Sequence, residues 1–550
     1  MAKFTGEPSV MGGSELLRMV LLTFVAVGIT FTWSIEMTYC TPYLLNLGLT
    51  KSNTALVWIA GPLSGLVVQP IVGVVSDQST SRWGRRKPLM VVGTTIVAVC
   101  LVTLGFTRDI IKLFVGDDED AVKQPSIVLA VFSIYALDFA INAVSRMSAV
   151  GHLLGYAAGA IDLLAIFGKA LGSTQFQQLC ILAIFFVLVT NAITCFTVTE
   201  KIQLPDLDEP KSKTSGLGVF REIWSTFRTL PPRIRAICWA QFWSWIGWFP
   251  FLFYSTTWVG ETYFRYNVPD DAKDSKDVLG DMGRVGSTAL VLYSSVTLIG
   301  SVVLPPLVKS PEENKSVSEK EDTERSAPGF VKRLNNKLGV YKPTLLNTWI
   351  AGHFMFSGAM AVAPFAASVN VATALVCLCG LPWTLAMWVP VALLGIEVNK
   401  VAGSGAEGES TQYRRLSDAS DEDLELNNRR PSAETTSPYP EDNNRPSVET
   451  SLCPENNFEK KSPDSSDAEL SGVYFGILNI FTTLPQLIAS FISTVVFAIL
   501  EPGESPELAH KAHPDEQADT GGPNAISICL FIGAISTFYA AFATRRLKSL

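Results

Sequence analysis

Gly73-Val74-Val75-Ser76-Asp77-Gln78-Ser79-Thr80-Ser81-Arg82-Trp83-Gly84-Arg85-Arg86-Lys87-Pro88 is a polar turn set between two apolar runs, 54–76 and 87–107. A bilayer core of about 30 Å needs about 20 helical residues to cross it, so each flanking run is long enough to be a span. An apolar run in lipid must satisfy its own backbone, which makes the helix its natural form. The same alternation continues along the 550 residues, of which 48% are hydrophobic and 17% charged. A soluble chain carries about a quarter charged residues.

Further runs lie at 17–39, 126–145, 148–167 and 177–198, and then at 235–258, 286–308, 345–365, 370–396, 472–500 and 525–543. The expectation is an all-α membrane protein of twelve transmembrane helices in two six-helix bundles. Residues 1–16 form the N-terminus, 17–198 the first bundle, 199–234 the linker, 235–543 the second bundle and 544–550 the tail. The linker holds Lys201, Lys211, Lys213, Arg221, Arg228 and Arg233, and Arg235 directly follows it. It lies on the same side as the quoted turn, as Lys332, Arg333, Lys337 and Lys342, and as Arg545, Arg546 and Lys548. Opposite loops are acidic or mixed, as in Asp117-Asp118-Glu119-Asp120, Asp270-Asp271 and the stretch from Glu501 to Asp519. Lys and Arg mark the cytoplasmic side, so both termini are expected there. The first run begins near Leu16 and is long enough to stay as a span, so no cleaved leader is expected.

The net charge of −8 points to no partner, because the acidic residues sit in loops. Nothing suggests nucleic acid. The nine cysteines fall mostly in apolar runs, where they act as small hydrophobes. Cys377 and Cys379 make no metal-binding spacing, so no metal site and no cofactor are expected. No nucleophile–base pair or phosphate loop speaks for an enzyme. Residues 397–471 are rich in Ser, Pro, Asn, Glu and Asp and are read as a disordered cytoplasmic loop. Arg414-Arg415-Leu416-Ser417 and Arg429-Arg430-Pro431-Ser432 suit a basophilic kinase, which makes Ser417 and Ser432 phosphorylation candidates, with chance matches weighed equally.

Six spans, a basic linker and six more is the layout of the major facilitator fold. Its members carry a Gly-x-x-x-Asp…Gly-Arg-Arg element similar to the quoted turn. Gly73, Asp77, Arg82, Gly84, Arg85 and Arg86 are therefore read as a conformational latch, since an Asp facing clustered arginines can bond in one state and not another. The arginines set topology as well.

Thr41-Pro42-Tyr43-Leu44-Leu45-Asn46-Leu47-Gly48 and Gly61-Pro62-Leu63-Ser64-Gly65-Leu66-Val67-Val68-Gln69-Pro70 resemble the opening of the sucrose transporter family. So do Trp248-Phe249-Pro250-Phe251 with Thr257-Trp258, and Gly476-Ile477-Leu478-Asn479 with Pro485-Gln486. Glu36 and the long acidic loop bring the chain nearer the fungal and animal branches than the plant branch. The resemblance implies proton-coupled symport of sucrose or a related, maltose-like α-glucoside. A transport-deficient sugar sensor signalling through 397–471 is the alternative. The plasma membrane is the expected location, with a vacuolar or other internal membrane open.

Two carboxylates lie inside apolar runs, Glu36 and Asp138. A mid-bilayer carboxylate costs about 2.5–3.5 kcal/mol on insertion scales, so it tends to face a cavity and to have a function. Asp138 matches the family's fourth-span Asp, which the resemblance implies carries the proton; Glu36 is the second proton-coupling candidate, set near the outer mouth, with a structural role as its alternative. Asn142, one turn beyond Asp138, could hold a sugar hydroxyl. Gln69, Trp58, Gln241, Asn479 and Gln486 complete the substrate-binding candidates. His152 and His353 are read as hydrogen-bonded packing residues, with a proton relay as the alternative.

One stretch departs from the family. Its members follow the fourth span with a polar segment holding a Cys-Arg or similar pair and a further Asp. Here Asn142-Ala143-Val144-Ser145-Arg146-Met147 runs straight into Ser148-Ala149-Val150-Gly151-His152. Either a segment is omitted, the preferred reading, or the helices are shortened there.

Overall fold

The computed structural model describes residues 4–5, 7–77, 79–144, 148–200, 202–203, 227–267, 277–309, 342–400, 465–505, 508 and 523–550. They fall into two units, 1–393 with 476–550, and 394–475. In the second unit Lys400 Nζ pairs with Glu397 at 3.0 Å. Ser417 and Ser432 lie outside the described residues.

Helix stands at every one of the predicted runs. Among the described residues seven helices are long and apolar enough to cross a membrane, or eight if a pair bent by 41° is one span. That pair is the first span. Ser14 caps it by accepting a hydrogen bond from the Leu17 amide at 3.3 Å. Glu15–Thr23 then bends into Val25–Ile35, followed by a π-helical turn Glu36–Cys40 and the helix Thr41–Asn46. Thr30, Thr32, Ser34 and Thr38 each donate a hydroxyl to the carbonyl four residues back. This satisfies buried hydroxyls locally and loosens the helix where it departs from α geometry.

The second span is Lys51–Val57 with Ala60–Asp77, capped by Thr50, and the third is Lys87–Gly105, opened by Pro88 in its first turn. The fourth, Glu119–Val144, is longer than the expected 126–145. The sixth, Gln175–Thr197, starts with a capping box between Thr174 and Gln177. In the second half, Pro232–Tyr266, Val278–Leu307, Leu345–Ala361, Val369–Lys400, Ser465–Leu500 and Ala525–Arg546 occupy the remaining six runs.

The fifth run does not form the expected span over 148–167. It is a helix Ala149–Ala160, a break at Ile161 and Asp162, and a short helix Leu163–Phe167. Twelve residues rise about 18 Å, well short of a bilayer core. The Ser148 amide donates to Thr30 Oγ1 at 3.0 Å, and Thr30 lies near the middle of the first span. The helix therefore starts halfway across; Ser145, Arg146 and Met147 lie outside the described residues.

The all-α expectation misses two small features. Phe4–Thr5 pairs antiparallel with Ile202–Gln203, and Ser9–Val10 with Val198–Thr199. These ribbons tie the N-terminal arm to the start of the linker.

Span one packs on five and six, three on four and six, and two on four. In the other half span seven packs along eight and twelve, and nine along twelve. The halves meet through spans one and seven and spans five and eight. Hydrogen bonds between them gather toward the side away from the chain termini, here the far side. Thr41 Oγ1 donates to the Phe253 carbonyl at 3.0 Å, Asn46 Nδ2 to the Leu508 carbonyl at 3.1 Å, and Ser52 Oγ to the Thr494 carbonyl at 3.1 Å. The far side is closed.

Candidate functional site

Glu36 opens the π-helical turn of the first span and is 2% exposed; Asp138 in the fourth is 3% exposed. The two lie within electrostatic reach of each other. Among the described residues neither oxygen of Glu36, nor Oδ2 of Asp138, has a hydrogen-bond partner. Facing Asp138 is Gly61 of the second span, where an added Cβ would stand 3.7 Å from Oδ2. Glu36 is thus buried within the first half. A structural carboxylate would be expected to carry hydrogen bonds, because an unpaired buried charge is costly.

Asn142 belongs to the same cluster. Its Nδ2 donates to Ser64 Oγ at 2.6 Å and to the Asp138 carbonyl at 3.1 Å. Spans one, two and four therefore bring Glu36, Asp138 and Asn142 together. The other candidates stand apart. Trp58 is fully buried, donates Nε1–H to Thr41 Oγ1 at 3.0 Å, and packs on Phe253 across the halves. Gln241 Nε2 donates to Thr482 Oγ1 at 3.4 Å, and Gln486 Nε2 to the Thr482 carbonyl at 3.0 Å. Asn479 sits half-buried on that same eleventh span. The Gln69 side chain lies outside the described residues.

A cavity of about 550 Å³ opens between the halves, and none of these candidates lines it. Its wall comes from the start of span five (Ser148, His152, Tyr156) and from spans eight and ten, including Tyr293, Trp383 and Trp388. That volume falls in the range of about 300–1,000 Å³ that encloses small ligands. Trp383 is fixed by edge contacts with Trp248 and Trp245 at 5.0 and 6.0 Å. His152 Nδ1 lies 3.0 Å from Ser34 Oγ, and its ring stacks on Tyr156 at 5.6 Å. The packing role expected for His152 agrees with these contacts, but it also places the ring in the cavity wall. The tryptophans of span ten gave no signal that set them apart from other aromatic residues.

At the turn after the second span, the structure supplies a carboxylate that the motif reading missed. Glu200, just past span six, accepts a hydrogen bond from the Arg86 amide at 2.9 Å. Gly84 has φ of +109°, and a Cβ there would lie 2.5 Å from the Glu200 carboxylate. The side chains of Gly73 and Asp77 lie outside the described residues, and Arg82 is largely exposed.

A second missed cluster closes the far side. Lys51, at the start of the second span, pairs with Glu261 of span seven at 2.6 Å and with Glu501, just after span eleven. Arg265 lies 2.8 Å from Glu501 and 3.8 Å from Glu261. Asn524 Nδ2 donates to Glu261 at 2.8 Å, and the Ala525 amide to Glu501 at 3.2 Å. Glu501 was read only as part of an acidic loop. At the rim Lys123 pairs with Glu504 at 2.8 Å, and Arg284 with Asp162 at 3.3 Å.

A family model described as MFS/sugar transport protein matches residues 22–144. The chain is 29% identical to the general alpha-glucoside permease of Schizosaccharomyces pombe, over 96% of this chain and 93% of that one. It is 28% identical to the sucrose transport protein SUC4 of Arabidopsis thaliana, over 70% of this chain and 79% of the other. Among solved structures, a variant of the nucleoside transporter NupG superposes with a TM-score of 0.50 at 11% identity, covering 96% of this chain and 99% of NupG. That likeness bears on the fold alone. With the apolar spans, the fold match and the relatives in agreement, the chain is similar over nearly its whole length to sucrose and α-glucoside transporters, has the major facilitator fold, and is a membrane sugar transporter rather than an enzyme.

Proposed function

We propose that the chain imports sucrose or a related α-glucoside, such as maltose, together with a proton by alternating access. The observation that carries this reading is the pair Glu36 and Asp138, buried between spans with unpartnered oxygens among the described residues. A carboxyl so placed can hold a proton and release it when its surroundings change. Asp138 is the proton carrier, and Asn142 beside it senses its state through the fourth span. The sugar occupies the cavity between the halves, with Trp383 and Trp388 offering ring faces and hydroxyl-bearing residues such as Ser294 and Thr297 offering hydrogen bonds. The termini and the 397–471 loop are cytoplasmic, the membrane is the plasma membrane, and the closed far side faces outward. The turn at 73–86 acts as the cytoplasmic latch, with Glu200 as its carboxylate.

The shortened fifth span favours one rival, a sugar sensor that binds without transporting and signals through a kinase acting on Ser417 and Ser432. Uptake of labelled sucrose and maltose into transporter-deficient cells separates the two. Uptake that is greater in acid, abolished by an uncoupler and lost in Asp138→Asn supports symport. A surface-exposed chain that takes up neither sugar rules it out.

A further inference from the structure

We propose that the far-side gate is itself a proton-binding site, at which a proton replaces Lys51 on the Glu261–Glu501 carboxylate pair each time the gate opens. The inference rests on the alternating-access reading above and adds to it a site remote from Asp138.

The closed cluster holds two cations, Lys51 and Arg265, and two carboxylates, Glu261 and Glu501, all largely or fully buried. The formal charges of these four sum to zero. Of the four, only Lys51 belongs to the first half; the other three stand on spans seven and eleven of the second. Parting the halves therefore removes one positive charge and leaves Arg265 facing two carboxylates. A carboxylate at the bilayer edge without its cation takes up a proton more readily than one that is paired. The proton that binds comes from the far-side solution, and it leaves when Lys51 returns.

Among the described residues the other groups beside the pair are uncharged or engaged elsewhere. Asn524, which caps span twelve, and Cys529 on it are neutral neighbours, and Lys123, a further cation among the described residues, is engaged at the rim by Glu504. In the closed state Glu501 is held below the ordinary carboxyl range: burial opposes its charge, but Lys51 and Arg265 more than offset burial. Opening removes the larger share of that support. The open state thus binds more protons than the closed one, and the state that binds more protons gains as pH falls.

The test is a distance measurement between spin labels at Asp117 and Phe365, both exposed on far-side loops of opposite halves, in the full chain reconstituted in vesicles. Distances are read from about pH 5 to about pH 8 with and without maltose and sucrose, alongside uptake. The expected result is an open-to-closed ratio that rises in acid, by up to about tenfold per pH unit, in both the parent and Asp138→Asn. Glu261→Gln and Glu501→Gln should open at neutral pH and lose most of the pH response. A pH-independent ratio in the parent, or an unchanged response in both glutamine variants, overturns the gate site while leaving sugar transport standing. A far side that opens under no condition, with no uptake, overturns both.

Discussion

Lys51 Nζ stands 2.6 Å from Glu261 Oε1, joining the two halves through side chains that are 5% and 0% exposed. Breaking a buried ion pair by removing one partner costs about 3–5 kcal/mol, because the other charge is left uncompensated. Lys51→Met should therefore lower the thermal unfolding midpoint markedly. Lys51→Met with Glu261→Gln should recover much of it, since the pair leaves together. A double variant no more stable than the single one would mean that Lys51 acts mainly through Glu501.

The pH dependence of that stability has a fixed sign. Glu501 sits below the ordinary carboxyl value of 4.5, with Lys51 and Arg265 outweighing burial. Its contribution is complete above the unfolded-state value and is lost as pH falls through the folded-state value. The unfolding midpoint should thus hold steady from neutral pH down to about pH 5 and then fall. Lys51→Met should remove part of that acid-side fall, which a pH series of unfolding curves would register.

Tyr39 carries the second closure. Its hydroxyl donates to the Gly159 carbonyl at 2.7 Å, and its ring lies where a side chain at Gly283 would be. A Cβ on Gly283 would come within 2.2 Å of the ring. Gly283→Ala should hold the far side ajar, so that far-side thiol labelling increases while the helices remain folded. Unchanged labelling with a normal unfolding curve would mean that Tyr39 turns aside without cost.

How legible this was in the sequence depended on range. The spans were readable because apolar length and local caps such as Thr174–Gln177 act within a few residues. Span five was not, since its start is fixed by Thr30, more than a hundred residues earlier in the chain. Asp138 and Asn142 were found because a polar group in an apolar run stands out. Lys51, Glu261 and Glu501 were missed because each sits at a helix end, where charge is ordinary. Only the fold brings them together. The cavity tryptophans Trp383 and Trp388 had no distinguishing mark among many spans rich in aromatic residues.

Gly84 tests the turn at the near side. Its φ of +109° disfavours any side chain, and the Glu200 carboxylate fills the space a Cβ would take. Gly84→Ala should cost about 1–3 kcal/mol through backbone strain. Glu200→Gln, which keeps the shape but weakens the bond to the Arg86 amide, should cost less. If the turn is a latch, Glu200→Gln should also change the uptake rate at unchanged stability. Equal uptake by parent and variant would leave the turn a topological signal alone.

Glu36 and Asp138 are two buried carboxyls of the first half, and Glu36 lies within reach of the charge on Asp138. Like charges near one another in a buried site disfavour joint ionisation. The two substitutions should therefore differ in kind. Asp138→Asn should abolish proton-driven accumulation yet leave sugar counterflow, which needs no net proton movement, within a few-fold of the parent. Glu36→Gln removes the partner and keeps the carrier. It should preserve accumulation while changing the pH profile of uptake, since the carrier then stands without its acidic neighbour. Parallel pH profiles of uptake and counterflow for the parent and both variants would check this, and a Glu36→Gln profile identical to the parent would make Glu36 a packing residue of the π-helical turn.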